Sequence, residues 1–526
     1  MNGTPLTEFL THHYVLAWLV LIPLVASFVL MAIPAAWGLA IRLIAAISTG
    51  ITLIISVVLT WDYWTLVHSG IISSNGGGDF FSIWRYEIVS QLIHFGPSPN
   101  PISLHFATDG AGVAMCLLTA ITIFSGVFAT WTLKERTKEY YALLLLLVAG
   151  VFGVFVTVNL FFFFLFYELA VLPMYLLIGI WGTGAKEYSA MKLTLMLLMG
   201  SAFIVVGFLA LYAKGGSFDL FELTRASLAG TFSAEFQRWF FLAFYLGFGV
   251  LAGIFPFHTW SPDGHASAPT ATSMLHAGVL MKLGGFGLLR VALPLLPGGL
   301  HDWHWLIAAI AAWNIVYGAF SAMGQRDLKY VIAYSSVSHL GMVMLGLAAG
   351  GAVTATNANG AVTAINGAVF QMFAHGIMTA LFFALVGLVY TKAHTRDIDA
   401  MGGLARVAPG LAVAFTIAGL SSVGLPGTGG FVAEFLVFTG SFTSKPWLAG
   451  FACLGIVITS IYVLRLLKRV FFGAMDAHFA QMEDARTTEW VALAFTSLVI
   501  LALGIYPGPI MQIISSAVQP VVGMLR

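Results

Sequence analysis

Charge is what this chain lacks. Only 9% of its 526 residues are Asp, Glu, Lys or Arg, where a soluble domain carries about 25%. Hydrophobic residues make up 59%, more than a soluble fold could hide from water. The net charge of +1 gives no sign of an acidic or nucleic-acid partner. Cysteine is nearly absent: Cys116 and Cys453 both lie inside apolar runs. Neither a disulfide framework nor a cysteine-ligated iron–sulfur cluster can be built from them. There is no Walker loop, no dinucleotide fingerprint after a strand and no clustered metal motif. Any redox or ATP chemistry this chain serves must therefore be carried by other chains. Residues 1–13 hold no Lys or Arg, so no cleavable signal peptide is expected and the first span directs insertion.

What is present is a succession of apolar runs, each long enough to cross a bilayer. The predicted fold is an all-α polytopic membrane protein, one membrane domain over 1–526, with about fourteen transmembrane helices. The spans are placed at 14–33, 37–59, 110–132, 140–158, 160–182, 190–213, 238–258, 269–293, 303–323, 329–349, 361–390, 407–440, 447–472 and 489–511. The two long ones, 361–390 and 407–440, are expected to bend or to include flanks. Most Lys and Arg, among them Lys134, Arg136, Lys186, Arg326, Lys392, Arg396, Lys468 and Arg469, follow odd-numbered spans. The positive-inside rule makes those loops cytoplasmic and puts both termini on the outer side. The largest loop, 60–108, lies outside, with turn signals at 75–78 and 97–101. It is expected to hold at most a short hairpin and no site. A Gly/Ala/Asn-rich stretch at 350–360 reads as a loose connector, and no long amphipathic tail follows the last span.

Two apolar stretches break. The first runs Gly253-Ile254-Phe255-Pro256-Phe257-His258 into Pro262-Asp263-Gly264-His265, with Lys282 in the next span. The second is Gly424-Leu425-Pro426-Gly427-Thr428-Gly429-Gly430, with Glu434 just beyond. Pro256, Pro426 and Gly427 are the predicted hinges. Interrupted helices in corresponding halves point to an ion path built on internal repeats. A charge at membrane depth costs roughly 3 kcal/mol or more, so such a residue is a functional candidate.

The candidates for a proton path are Glu168, Lys282, His339, His375 and Glu434, with His258 and His276 as auxiliaries. Burial brings carboxyl and amine titration towards physiological pH, where imidazole already titrates. Each also has a plainer reading. A buried carboxylate or lysine can tie helices by ion pairing, and a lone histidine is often a satisfied hydrogen-bonding residue. His276 precedes Lys282 by six residues, about 9 Å along a helix, which sets the two on different faces.

The run Pro256-Phe257-His258-Thr259-Trp260-Ser261-Pro262-Asp263-Gly264-His265, then Ala268-Pro269-Thr270 and Ala277-Gly278-Val279-Leu280-Met281-Lys282, closely resembles the antiporter-like membrane subunits of respiratory complex I. Arg326-Asp327-Leu328-Lys329-Tyr330-Val331-Ile332-Ala333-Tyr334-Ser335-Ser336-Val337-Ser338-His339 matches the same family, as do the segments around Glu168, His375 and Gly424–Glu434. Within it the chain looks most like the subunit M (chain 4) branch, since the C-terminal lateral helix of subunit L is absent. The resemblance implies two inverted five-helix repeats, 140–293 and 303–472, and a proton path through Glu168, Lys282, His339, His375 and Glu434. It implies that FMN, iron–sulfur clusters and quinone belong to partner subunits, with none in this chain. It also implies neighbouring antiporter-like subunits as partners and the bacterial cytoplasmic membrane as location.

One departure stands out. Where the family carries a lysine five residues before the proline of its Pro-x-His motif, this chain has Leu251, so Glu168 lacks its expected partner. His276, similar to a histidine of subunit L, or His258 are the available substitutes. The alternatives to a redox-driven pump are a subunit of a multisubunit cation/proton antiporter, a non-pumping spacer, or an arm serving another electron donor.

Overall fold

In hydrocarbon every backbone N–H and C=O must find its partner inside the protein, and continuous helices meet that demand. The computed structural model describes residues 3–73, 79–93, 102–354 and 356–526. The turn signals at 75–78 and 97–101 lie outside the described residues. Helices α1 (Pro5–His12), α2 (Val15–Ala32) and α3 (Gly38–His68) come first, followed by an antiparallel hairpin, β1 (Arg85–Ile93) and β2 (Ile102–Thr108). Then come α4 (Gly110–Ala129), α5 (Thr137–Val156), α6 (Leu160–Trp181), α7 (Lys186–Gly215), α8 (Leu220–Leu228), α9 (Ala234–Ala252) and α10 (Trp260–Ser267). One continuous span follows: α11 (Thr270–Leu275), α12 (Met281–Gly287) and α13 (Leu293–Leu295), joined by π turns at His276–Leu280 and Leu288–Ala292. The remainder are α14 (Pro297–Met323), α15 (Leu328–Ala348), α16 (Ala358–Ala393), α17 (Pro409–Ser422), α18 (Gly429–Phe442), α19 (Pro446–Val470), α20 (Thr487–Ile505) and α21 (Gly508–Met524).

Among the described residues twelve helices are long and apolar enough to cross a membrane. Their burial sorts them. The apolar window of α16 is wholly inside the protein, whereas that of α3 is one-third buried and turns Ile47, Ile54 and Trp61 outward. With water excluded, an outward Leu or Ile is at home in lipid, so the outer helices are apolar all round. The core runs α4, α5, α15 and α16 around the Thr270–Leu295 span.

Sequence and structure differ at several ends. The expected 361–390 span is a single 36-residue helix, α16, long because it includes both flanks. The 407–440 span is two 14-residue helices, α17 and α18, separated by the Gly/Pro break. The 350–360 stretch is helical at both ends: a 3-10 turn covers Ala349–Ala352, and α16 begins at Ala358. Beyond α20 the chain forms α21, which buries Ile513, Ile514, Ala517, Val518 and Val521 against α3, α4 and α16. At 17 residues it is short of a span, so hydropathy alone passed over it.

The hairpin in 60–108 exists, and its face of the molecule is built more firmly than a loop. Asp62 of α3 is fully buried and accepts hydrogen bonds from Thr4 Oγ1, Thr7 Oγ1 and Tyr86 OH, each at 2.8 Å. Arg290 meets Asp109 through Nη1 at 2.6 Å and stacks on Trp84 at 4.3 Å. On β2, His105 sits between Asp219 at 2.5 Å and Glu87 at 3.0 Å. The opposite face carries Lys186, Lys392, Arg396, Lys468 and Arg469 near helix ends.

Candidate proton path at the broken helices

At the first break, Gly253 (φ +71°) ends α9 in the left-handed region that glycine takes without a Cβ clash. Backbone turns and side chains share the bonding there: the Gly253 and Ile254 amides donate to the Val250 and Gly249 carbonyls, each at 3.0 Å. Asn314 Oδ1 accepts from the Phe255 N–H at 2.9 Å, its Nδ2 donates to the Val337 carbonyl at 2.8 Å, and Trp260 Nε1 donates to the Val250 carbonyl at 3.0 Å. At the second break Gly424 (φ +73°) and Gly427 (φ +94°) turn the chain. A Cβ on Gly424 would lie 2.6 Å from Glu434 Oε2, so the carboxylate rests directly on the broken backbone.

Four of the five sequence-predicted path residues come together. Lys282, on α12, is completely buried. Its Nζ lies 2.8 Å from His375 Nδ1 and donates to the Ala277 carbonyl, which the π turn leaves free. The rings of His375 and His339 are 5.0 Å apart. His339 Nε2 lies 3.2 Å from Ser422 Oγ at the end of α17, and its Nδ1 is 3.5 Å from Glu434 Oε1 and 3.1 Å from Gln371 Nε2. Lys282, His375, His339 and Glu434 thus form one contiguous row across α12, α16, α15 and α18. A proton in the His339–Glu434 gap can sit on the ring or on the carboxyl, and the two states differ by a single hop.

Glu168 stands apart. It is half-exposed on the flank of α6, and its Oε1 has no hydrogen-bond partner among the described residues. Leu251 is buried in its place on α9 and offers no charge. The two auxiliaries fare differently. His258 packs among Phe255, Tyr317 and Tyr334 with both ring nitrogens unpartnered. His276 packs tilted against His265 at 4.1 Å between ring centroids and against Trp260 at 5.2 Å, and among the described residues both its nitrogens are unpartnered.

His265 is the residue that sequence reasoning passed over, having read it only as part of a motif. It is fully buried, and its Nε2 lies 3.3 Å from the sulfur of Met281, the residue beside Lys282. A polar group on the basic face leads towards it: Lys192 pairs with Asp263 at 2.7 Å, Tyr330 OH donates to the same carboxylate at 3.1 Å, and Lys329 Nζ donates to the Ala268 carbonyl at 2.6 Å. Gln371, Asn314 and Ser422 were likewise invisible as site residues, being ordinary polar side chains in apolar helices.

The profile described as NADH:quinone oxidoreductase/Mrp antiporter, TM, matches residues 157–459. The chain belongs to that family. It is 37% identical over 433 residues to NADH-quinone oxidoreductase subunit M of Rhodobacter capsulatus, covering 80% of this chain and 83% of that one. Its fold superposes on a chain of respiratory complex I from Thermus thermophilus with TM-score 0.83 and 27% identity, over 98% of this chain and 100% of that one. A chain of the Mrp complex from Dietzia sp. DQ12-45-1b shares the fold at TM-score 0.78 and 20% identity, over 97% and 99% of the two chains. The matched segment 157–459 contains both breaks and the whole Lys282–Glu434 row.

Proposed function

We propose that this chain is a proton-translocating membrane-arm subunit of a complex I-type NADH:quinone oxidoreductase. The observation that carries the reading is the unbroken row of proton-carrying groups from Lys282 to Glu434, ending on a broken helix. Family membership says which kind of machine uses such a row, and the relatives named subunit M supply the complex. FMN, iron–sulfur clusters and quinone are then the property of partner subunits, and this chain's part is to move the proton.

The basic face is the cytoplasmic one, by the positive-inside rule, and the hairpin face with both termini is the outer one. Protons approach from the Lys192–Asp263–Tyr330 group, and His265 with His276 leads to Lys282. This route takes the place of the one that the family's lysine at position 251 would serve. Ammonium at Lys282 hands its proton to the neutral His375 Nδ1 it already touches. A second proton in the row is opposed by Coulomb repulsion, because like charges a few ångströms apart in a low-dielectric interior interact strongly. The row therefore passes one proton at a time. His339 takes it next, and Glu434 receives it at the wet side of the second break. Glu168, on the flank of α6, is the acid that faces a neighbouring antiporter-like subunit.

Lys282→Ala is expected to abolish this subunit's proton transport while the complex still assembles and reduces quinone. Proton-to-electron ratios in vesicles holding the purified assembly test it, and an unchanged ratio ends the proposal. Mass spectrometry of the chain's native partners separates the machine classes: flavin- and cluster-bearing subunits support a redox pump, and small membrane partners alone support an antiporter.

A further inference from the structure

Glu434 ends the row described above, yet it is 4% exposed and lies two to three turns from the hairpin face. On α18, Ser441 follows it by seven residues, which brings it to within about 20° of the same face, and Lys445 follows by eleven, three residues past the end of the helix. Lys445 has left the helical conformation (φ −141°), and its backbone N–H donates to the Ser441 carbonyl at 2.8 Å, which holds it against the end of α18. Both side chains are buried, Lys445 at 1% exposure. Lys445 Nζ and Ser441 Oγ have no hydrogen-bond partner among the described residues.

An ammonium held this way stabilises little. Among the described residues it lies over the Trp305 ring, 5.1 Å from Nζ, and pairs with no carboxylate. Asp302, the acid of the neighbouring turn of α14, is already paired with Arg238 at 3.0 Å. Otherwise α14 offers histidines. His304 is half-buried beside Trp305 with its Nδ1 unpartnered, and His301 stacks on His304 at 6.0 Å and is exposed. The first three turns of α16 and the first two of α19 contain no charged residue, so these groups and Glu434 make up the titratable surroundings. Lys445 lies between α18 and α19, outside the spanning helices, and burial pulls its amine down to about 8.

We propose that Lys445 is the group that releases protons at the hairpin face from the path ending at Glu434. The Glu434 O–H breaks, and its proton passes towards the hairpin face along a chain of waters in which the unpartnered Ser441 Oγ is one station. Neutral Lys445 Nζ takes it up as an ammonium. The ammonium then gives the proton up to water at the hairpin face, past the Trp305 ring. The proposal rests on the reading of Glu434 as the end of the row.

The test compares K445R, K445M and E434Q in the complete assembly reconstituted in vesicles, reading protons moved per quinone reduced across pH. Arginine keeps the charge and the stacking on Trp305 but does not give up its proton. The expected result is that K445R and K445M both fall to the ratio of E434Q, and that the wild-type inflection near pH 8 is absent from K445R. A wild-type ratio in K445R overturns the proposal and makes Lys445 a structural cation. Should K445M not assemble, K445R still decides. If E434Q itself pumps normally, the reading of the row fails instead, which keeps the two failures apart.

Discussion

At Glu434 the difference between glycine and alanine at position 424 is a matter of 2.6 Å. The left-handed φ at Gly424 alone costs a side chain about 1 kcal/mol, and the Cβ would also push the carboxylate off its seat. Gly424→Ala is therefore expected to lower proton transport more than stability. The check is a near-normal melting temperature alongside a reduced proton-to-electron ratio. Leu251 poses the converse question. If protons reach Lys282 by way of His265 and His276, Leu251→Lys leaves the ratio unchanged and His276→Leu lowers it. A ratio raised by Leu251→Lys would show instead that the first half is idle for want of that lysine.

A helix broken inside a membrane needs substitutes for each lost backbone hydrogen bond, and here a few side chains from neighbouring helices supply them. Asn314 of α14 serves both the Phe255 N–H and the Val337 carbonyl, which ties the end of α9 to α15. Asn314→Leu leaves the part-buried Phe255 N–H unpaired, at about 1–3 kcal/mol. Thermal unfolding of the purified assembly should register it as a lowered midpoint. The π turns in the Thr270–Leu295 span act at the same scale. The turn at His276–Leu280 frees the Ala277 carbonyl for Lys282 and changes the phase of the helix. A uniform 3.6-residue pitch sets His276 on a face unrelated to Lys282, and that reading could not foresee its packing against His265.

Across the whole molecule the hairpin face is locked by polar contacts that the sequence shows only as scattered residues in a loop. His105 is the titrating member. Burial by itself pulls its titration down, but the Asp219 hydrogen bond and charge, with Glu87, outweigh that and hold it above the ordinary histidine value. A group raised on folding stabilises fully below its unfolded value of about 6.5, and that stability is lost as pH rises through the raised value. The assembly should therefore melt progressively lower as outer-side pH increases through that window. His105→Gln should flatten the dependence and meet the wild-type curve at high pH.

Much of this was legible in the linear chain because hydropathy and charge are local. A stretch of apolar residues, a glycine–proline break or a lysine among leucines carries its meaning wherever its neighbours fall. Membrane residence, the two breaks and the rare titratable side chains all followed from that. Which of those side chains meet was decided only by packing. Gly278 and Gly376 face each other so closely that a Cβ on either would lie 3.1 or 2.6 Å from the other's carbonyl oxygen. That contact of small residues brings α16 against the Thr270–Leu295 span and sets His375 on Lys282, while Glu168, equally conspicuous in sequence, lies on the flank away from the row. His265 and Lys445 drew no notice for the same reason. The role of a histidine or lysine inside a membrane protein depends on what stands 3 to 5 Å away, and no local rule of sequence sets the distance between helices.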